Sequence, residues 1–178
     1  MSFDVLFNQF MSGVARGALL FLVASGLSLT FGVLRVLNFA HGSIYMLGAF
    51  ITYSIWKFLL MPLVGFYIAT ILAALVMAGI GIIMEFFLLR RLYARGWPEQ
   101  LLATYAVLLI ITDLVKWGWG GEFLSIPRPK PFTGAISLFG FPFPSYNFFV
   151  IIMGLALVVL LWWLVYKTRL GDIIRAAA

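Results

Sequence analysis

Residues 17–34 read Gly17-Ala-Leu-Leu-Phe-Leu-Val-Ala-Ser-Gly-Leu-Ser-Leu-Thr-Phe-Gly-Val-Leu34 and contain no aspartate, glutamate, lysine or arginine. About 20 apolar residues in helical conformation cross the hydrocarbon core of a bilayer. A run of this length and composition therefore predicts a membrane-spanning helix. Further runs without these charged residues follow along the chain, at 36–56, 58–84, 100–112 and 131–166.

The runs predict an all-α membrane protein, a polytopic helical bundle of about five transmembrane segments that form a single domain over residues 1–178. In the final run the first part is rich in proline and glycine, so only its second part is expected to span the membrane. The predicted segments are 17–34, 36–56, about Gly65–Leu89, about 100–117 and about Asn147–Tyr166.

Composition supports this interpretation for the whole chain. Of 178 residues, 64% are hydrophobic and 10% are charged, whereas a soluble domain carries about 25% charged residues. Soluble enzymes, DNA-binding modules and disordered chains are therefore poor fits. The net charge of +6 comes from basic residues scattered between apolar runs, which is unlike the clustered basic face of a nucleic-acid-binding surface. No nucleic-acid partner is expected.

Two features outside the apolar runs also carry predictions. Asp113 and Lys116 lie three residues apart at the end of the fourth segment, on one helix face, where they can form a pair. Residues 118–146 form the longest connection, and their closely spaced prolines exclude a helix. Within this connection, Ala135-Ile-Ser-Leu-Phe can make a short strand.

Basic residues predict the orientation of the segments. If each segment crosses the membrane once, seven of the twelve Lys and Arg residues fall on one side and five on the other. The positive-inside rule then places the first group in the cytoplasm, chiefly on the strength of Arg90, Arg91, Arg95 and the tail at 167–175. The N-terminus lacks the basic region of a signal peptide, so the first segment is expected to remain a membrane helix.

Small residues recur at helical spacing in two of the segments. Gly13 and Gly17 stand four apart, as do Ala69 and Ala73, and Ala74 and Ala78. Positions of this kind let helix backbones approach closely in a membrane, where packing rather than hydrophobicity drives association. They are interpreted as ordinary bundle packing.

A polar stretch, Arg35-Val-Leu-Asn-Phe-Ala-His-Gly-Ser43, interrupts the apolar runs and contains the single histidine, His41. It can be the cytoplasmic turn between two full spans. It can equally be the break of a discontinuous second helix at membrane depth, with Gly42 permitting the break and Asn38 and Ser43 satisfying freed backbone groups. Polar groups within a membrane are costly, and they point to a functional site by default. The residues alone leave both alternatives open.

The stretch from Gly26 to Phe50 closely resembles the inner-membrane permeases of branched-chain amino-acid ABC transporters. The most specific part is Asn38-Phe-Ala-His-Gly42 followed by Tyr45-Met-Leu-Gly48. Two further matches are Met84-Glu85 through Arg91 with Leu101-Leu-Ala-Thr104, and Thr168-Arg-Leu-Gly-Asp-Ile-Ile-Arg175. The resemblance covers essentially the whole chain, and it implies that the chain corresponds to the N-terminal part of the longer family members.

The resemblance implies a permease subunit in the inner membrane of a bacterial or archaeal cell. Its expected partners are the lipid bilayer, two cytoplasmic ABC ATPase subunits, a second related permease and an extracytoplasmic substrate-binding protein. The solute would be a branched-chain amino acid, urea or an amide. The translocation pathway would include Asn38, His41, Gly42 and Ser43, and the contact with the ATPase would include Arg169, Gly171 and Arg175. The family fold favours the discontinuous helix over the turn.

Chemistry of other kinds finds little support in the sequence. The lysines do not lie in a phosphate-binding loop G-x-x-x-x-G-K-[ST], so ATP hydrolysis is assigned to a partner. One histidine and no cysteine argue against a zinc site, and no metal, cofactor or catalytic residue is expected. Glu85 is predicted to pair with Arg90 or Arg91. The alternatives to an ABC permease are a stand-alone channel or ion-coupled transporter and, more remotely, an intramembrane hydrolase built on His41.

Overall fold

The computed structural model describes residues 3–34, 38–59, 64–130, 132–138, 141–169 and 171–172. It is an all-α membrane architecture with one short β-hairpin. Contacts divide the chain into two units, 34–127 and the combination of 1–33 with 128–178, and each unit is described by itself. In chain order the elements are α1 (Phe3–Leu34), α2 (His41–Leu59), α3 (Gly65–Met84), a π-helical turn (Glu85–Leu89), α4 (Arg90–Leu92), α5 (Trp97–Trp119), β1 (Ala135–Leu138), β2 (Phe141–Pro144) and α6 (Ser145–Lys167).

Among the described residues, four helical segments are long and apolar enough to cross a bilayer. They are Val5–Gly32, Gly65–Leu92, Trp97–Trp119 and Ser145–Lys167. The multi-pass prediction is thereby confirmed. The second predicted segment also forms a helix, α2, of 19 residues, but its polar residues, from His41 to Lys57, leave it outside this group of four.

The helix boundaries show where the charge-free criterion succeeds. Helix α3 begins at Gly65 as predicted, and α6 extends the predicted Asn147–Tyr166 by only a few residues. Helix α1 begins at Phe3, well before the predicted residue 17, because a charged side chain such as Arg16 limits burial in lipid without breaking a helix. With 32 residues at 1.5 Å each, α1 is about 48 Å long and exceeds the hydrocarbon core of ~30 Å.

In the 34–127 unit, α2 packs against both α3 and α5. Ala69 and Ala73 on α3 are buried, and a Cβ added to Gly48 of α2 would lie 3.4 Å from Cγ of Met77 on α3. The small pair Ala69 and Ala73 therefore has the packing role expected of it. Ala74 and Ala78 on the same helix, by contrast, are exposed in this unit.

Two hydrogen bonds show that α2 and α5 run parallel. The backbone N–H of Phe39, just before α2, donates to Oγ1 of Thr104 at 3.3 Å. Nε1 of Trp119, at the end of α5, donates to Oγ of Ser54 at 2.6 Å. Both bonds join residues separated by 65 positions, so the two helices keep the same direction and register between them. Helix α5 then ends at Gly120, whose φ of 80° suits glycine.

In the other unit, the predicted strand forms as β1 and pairs with β2 in an antiparallel hairpin that aligns Ala135 with Pro144. Proline is tolerated here because a two-stranded sheet has only edge strands. Helix α6 starts directly after β2, and Ser145 donates through both its N–H and its hydroxyl to the carbonyl of Gly134. In the same unit, a Cβ added to Gly154 of α6 would lie 2.9 Å from Cβ of Ala18 on α1.

Candidate functional site

The polar stretch noted in the sequence folds as a tight turn that leads into α2. Oδ1 of Asn38 accepts a hydrogen bond from the N–H of Ala40 at 3.0 Å, and the carbonyl of Asn38 accepts one from the N–H of His41 at 3.2 Å. This is the local pattern by which asparagine stabilises turns. Residues 35–37, including Arg35, lie outside the described residues.

The first turn of α2 adds further hydrogen bonds next to those of Asn38. His41 is the first residue of the helix, and the N–H of Ile44 donates to the carbonyl of Ala40 at 2.9 Å. Oγ of Ser43 donates to the same carbonyl at 2.8 Å. Ala40 is fully buried and Ser43 is 6% exposed, so a hydroxyl and a backbone carbonyl satisfy each other in a closed environment.

The glycine of this stretch has a different place from the one expected. The interruption before α2 lies at residues 38–40, and Gly42 is the second residue of the helix. Gly42 is exposed, and a Cβ added to it would meet no atom of the described residues within 4 Å. The turn therefore depends on Asn38 rather than on the absence of a side chain at Gly42.

Helix α5 supplies polar groups that the sequence analysis did not assign to a site. Oγ1 of Thr104 accepts from the N–H of Phe39 and donates to the carbonyl of Gln100 at 2.9 Å. Thr104 is 0% exposed. Its only signal in the sequence was its place at the end of Leu101-Leu-Ala-Thr104, and it brings two of the quoted family matches into contact.

Gln100 lies on the same face of α5, one turn before Thr104, and is 8% exposed. Its Nε2 donates to the carbonyls of Leu92 and Arg95, at 3.1 and 3.2 Å. These bonds tie the start of α5 to the connection from α3. The site is therefore formed by the turn, the first residues of α2 and the first half of α5.

The position of Thr104 shows how far along α5 the turn makes its contact. Helix α5 begins at Trp97, whose side chain is 68% exposed. At 1.5 Å per residue, Thr104 lies about 10 Å further along the helix axis. The backbone of the turn thus contacts α5 well within the candidate span Trp97–Trp119.

A second predicted site lies after α6, at the turn that Thr168 begins. Its backbone is extended, with ψ of 156°, and its Oγ1 donates to the carbonyl of Leu164 at 2.5 Å. The same Oγ1 accepts from the N–H of Gly171 at 3.2 Å. Threonine hydroxyls stabilise turns through such bonds to neighbouring backbone groups.

Gly171 is held close to the end of α6 by this turn. It is buried, and a Cβ added to it would lie 2.5 Å from the carbonyl oxygen of Leu164 and would also clash with that of Val165. Arg169, in contrast, is exposed. The third predicted coupling residue, Arg175, lies outside the described residues.

The pairings predicted for charged residues near the helix ends are confirmed in one case and not in the other. Nζ of Lys116 lies 3.8 Å from Oδ1 of Asp113, so the predicted pair is confirmed, on an exposed surface. Glu85 accepts a hydrogen bond from the Tyr93 hydroxyl, and the predicted pairing of Glu85 with Arg90 or Arg91 is wrong. The guanidinium of Arg90 lies over the ring of Phe86 instead, 5.9 Å from its centroid.

The chain is similar to one family of known proteins. The family model described as "Branched-chain amino acid transport system / permease component" matches residues 9–178. The high-affinity branched-chain amino acid transport system permease protein LivH of Escherichia coli K12, and that of Salmonella typhimurium, are each 35% identical to this chain over 54 residues. Those residues are 30% of this chain and 18% of the relative.

The permease protein BraD of Pseudomonas aeruginosa, named for the same kind of transport system, is 35% identical over 46 residues, which are 26% of this chain and 15% of BraD. The matched stretches thus span less than a fifth of the length of these relatives. No solved structure matches the chain. Since the family model covers nearly every residue and four apolar helices can cross a bilayer, the chain is a multi-pass membrane protein and belongs to the family of permease components of branched-chain amino acid transport systems.

Proposed function

We propose that this permease forms part of the translocation pathway of an ABC importer for branched-chain amino acids or a related small polar solute, with Asn38, His41, Gly42 and Ser43 in that pathway. The observation that carries the proposal is the hydrogen bond between Phe39 and Thr104, about 10 Å inside the start of α5. It favours a break at membrane depth over a turn at the surface.

Physical chemistry explains why such a break suits transport. Non-helical backbone at membrane depth is tolerated only where it is buried in protein or lines a water-filled cavity. Carriers use the ends of discontinuous helices, whose dipoles face the path, to bind polar solutes. The exposed Gly42 beside the buried Ser43 gives α2 one face toward protein and another available to a solute.

The partners follow from the family. Two cytoplasmic ABC ATPases would supply energy, a second related permease would complete the pathway, and an extracytoplasmic binding protein would deliver the solute. The membrane would be the inner membrane of a bacterial or archaeal cell. The basic residues at 90–95 and 167–175 would lie in the cytoplasm under the positive-inside rule.

The test is solute-dependent ATP hydrolysis in liposomes that contain this permease with its ATPases, partner permease and binding protein. Leucine, isoleucine, valine, urea and short amides are the solutes to compare. Stimulation by one of them supports the proposal. Solute uptake by the permease alone without nucleotide would instead support a channel or ion-coupled transporter, and absence of stimulation by every solute would overturn the proposal.

The turn at 168–172 is proposed as part of the contact with the ATPase, through Arg169, Gly171 and Arg175. Gly171→Ala introduces a Cβ that meets the carbonyls at the end of α6, so the turn must move. Overpacking of this kind lowers the stability of the folded state by about 1–3 kcal/mol. Solute-stimulated ATP hydrolysis is expected to fall by about tenfold. The matched control is Gly118→Ala on α5, where a Cβ meets no described atom within 4 Å. Equal activity of the two variants would contradict the coupling role.

A further inference from the structure

Thr104 is the fully buried hydroxyl that joins α5 to the turn before α2. Its side chain is 0% exposed, and its Oγ1 lies 3.3 Å from the N–H of Phe39, 2.9 Å from the carbonyl of Gln100 and 3.2 Å from that of Leu101. A hydroxyl has one proton to donate and two lone pairs that accept. Thr104 can thus donate within its own helix while accepting from the turn.

The acceptor that Thr104 provides gives a partner to the third of three successive N–H groups in the turn. The N–H groups of Ala40 and His41 both bond to Asn38, and the N–H of Phe39 bonds to Thr104. Phe39 itself is 53% exposed, so its side chain contributes little to fixing this backbone. The turn is therefore held from two sides, by Asn38 within the turn and by Thr104 from α5.

We infer that Thr104 is a positioning residue, whose hydroxyl holds the turn at Asn38–Ser43 in the conformation that the translocation pathway requires. The inference about transport rests on the proposed function, whereas the inference about the turn rests on the hydrogen bonds alone. Thr104 contacts the turn and not the solute in this account. It acts through the backbone of Phe39.

The first experiment measures the hydrogen bond directly, by hydrogen–deuterium exchange and mass spectrometry of peptides that contain Phe39, Ala40 and His41. Thr104→Val removes the acceptor and keeps the shape of the side chain. Exchange at the Phe39 amide is expected to become faster by about fivefold, the effect of losing one ordinary hydrogen bond. Thr104→Ser, which keeps a hydroxyl, is expected to match the wild type within about twofold.

Thr112 provides a matched control on the same helix. Its Oγ1 donates to the carbonyl of Leu108 at 2.7 Å, so Thr112→Val loses the same kind of bond within α5 without touching the turn. Unchanged exchange in Thr104→Val, or an equal increase in Thr112→Val, would overturn the inference. If Thr104→Val does not remain monodisperse, Thr104→Ala is measured in its place under the same criteria.

The second experiment measures solute transport per assembled complex. Thr104→Val is expected to lower the maximal rate about fivefold with an unchanged half-saturating solute concentration, while Thr104→Ser and Thr112→Val stay within about twofold of the wild type. Faster exchange with undiminished transport would overturn the role in the pathway. If the wild-type complex transports no solute, the proposed function fails, and the exchange experiment still decides whether Thr104 holds the turn.

Discussion

The two ends of the contact between α2 and α5 are built from different chemistry. We call them the polar end and the aromatic end. The polar end consists of Asn38–Ser43 with Gln100 and Thr104, and the aromatic end consists of Phe50, Ser54, Ile111, Val115 and Trp119. At the aromatic end, Ile111 and Val115 are buried and the rings of Phe50 and Trp119 lie 5.6 Å apart.

We expect the two ends to contribute differently, the aromatic end to stability and the polar end to transport. In a bilayer, helices associate through close packing and a few hydrogen bonds, because lipid is as apolar as the side chains. The aromatic end supplies such packing directly. The polar end places several backbone and side-chain polar groups together, and the proposed function puts them at membrane depth, where each is costly unless it is paired. An arrangement that needs so many hydrogen-bond partners is expected at a functional site.

The largest expected effect comes from breaking the polar end at Asn38. Asn38→Ala leaves the N–H of the fully buried Ala40 without its side-chain acceptor, which costs about 1–3 kcal/mol. Solute transport is expected to fall by about tenfold, since the turn loses its defined shape. The measurement is the transport rate per assembled complex, and His41→Ala is expected to act in the same direction.

The control for Asn38→Ala removes a polar side chain from the 118–146 connection. Ser125 is exposed there, and Ser125→Ala is expected to leave transport within about twofold of the wild type, as surface substitutions do. If Ser125→Ala impairs transport as much as Asn38→Ala, the turn has no special part in the pathway.

A smaller effect, on stability, is expected from breaking the aromatic end. Trp119→Ala removes the ring contact with Phe50 and the bond from Nε1 to Ser54, together worth about 2 kcal/mol. The temperature at which the detergent-solubilised protein loses its monodisperse state should fall. Transport per folded molecule should stay near that of the wild type.

Trp117 on the same helix provides the comparison. Its side chain is 88% exposed. Trp117→Ala is therefore expected to change little the temperature at which the solubilised protein loses its monodisperse state. Equal destabilisation by the two alanine variants would mean that the aromatic end owes its stability to lipid contacts. Trp119→Phe keeps an aromatic ring but loses the N–H, whose bond is worth about 0.6 kcal/mol, and part of the ring area, so it should destabilise the protein less than Trp119→Ala does.

These helices were predictable from sequence because the bilayer imposes a simple length rule. Charge-free runs gave the existence of every long helix and placed the start of α3 at Gly65. The rule says nothing about where a helix leaves the membrane, so the extension of α1 back to Phe3 was missed. It also treats α2 like its neighbours, although the polar residues of α2 set it apart from the four apolar spans.

The site was only half predictable, for a physical reason. Asn38, His41 and Ser43 stand out because they are polar and adjacent within an apolar sequence. Thr104 and Gln100 are single polar residues in an otherwise ordinary helix, and their importance depends on the parallel alignment of α2 with α5. That alignment is a tertiary contact between residues 65 positions apart, which no local pattern encodes.

The smallest expected effect concerns the hydrogen bond between Glu85, in the last turns of the candidate span Gly65–Leu92, and Tyr93, the residue that follows this span. Burial, followed by the hydrogen bond to Glu85 and its negative charge, raises the pKa of Tyr93 from 10.0 to about 12. Because the folded protein favours the neutral phenol, this contact contributes its full stability below pH 10 and loses it as the pH rises from 10 to about 12.

Glu85→Gln removes the negative charge but not the burial, so it should bring the pKa of Tyr93 part of the way back toward 10. The measurement is the ultraviolet absorbance of phenolate during alkaline titration, with Tyr93→Phe identifying the contribution of this residue among the seven tyrosines. A titration of Tyr93 in Glu85→Gln identical to that in the wild type would contradict the contact. Transport should change less than twofold in this variant, since an exposed hydrogen bond is worth only about 1 kcal/mol or less.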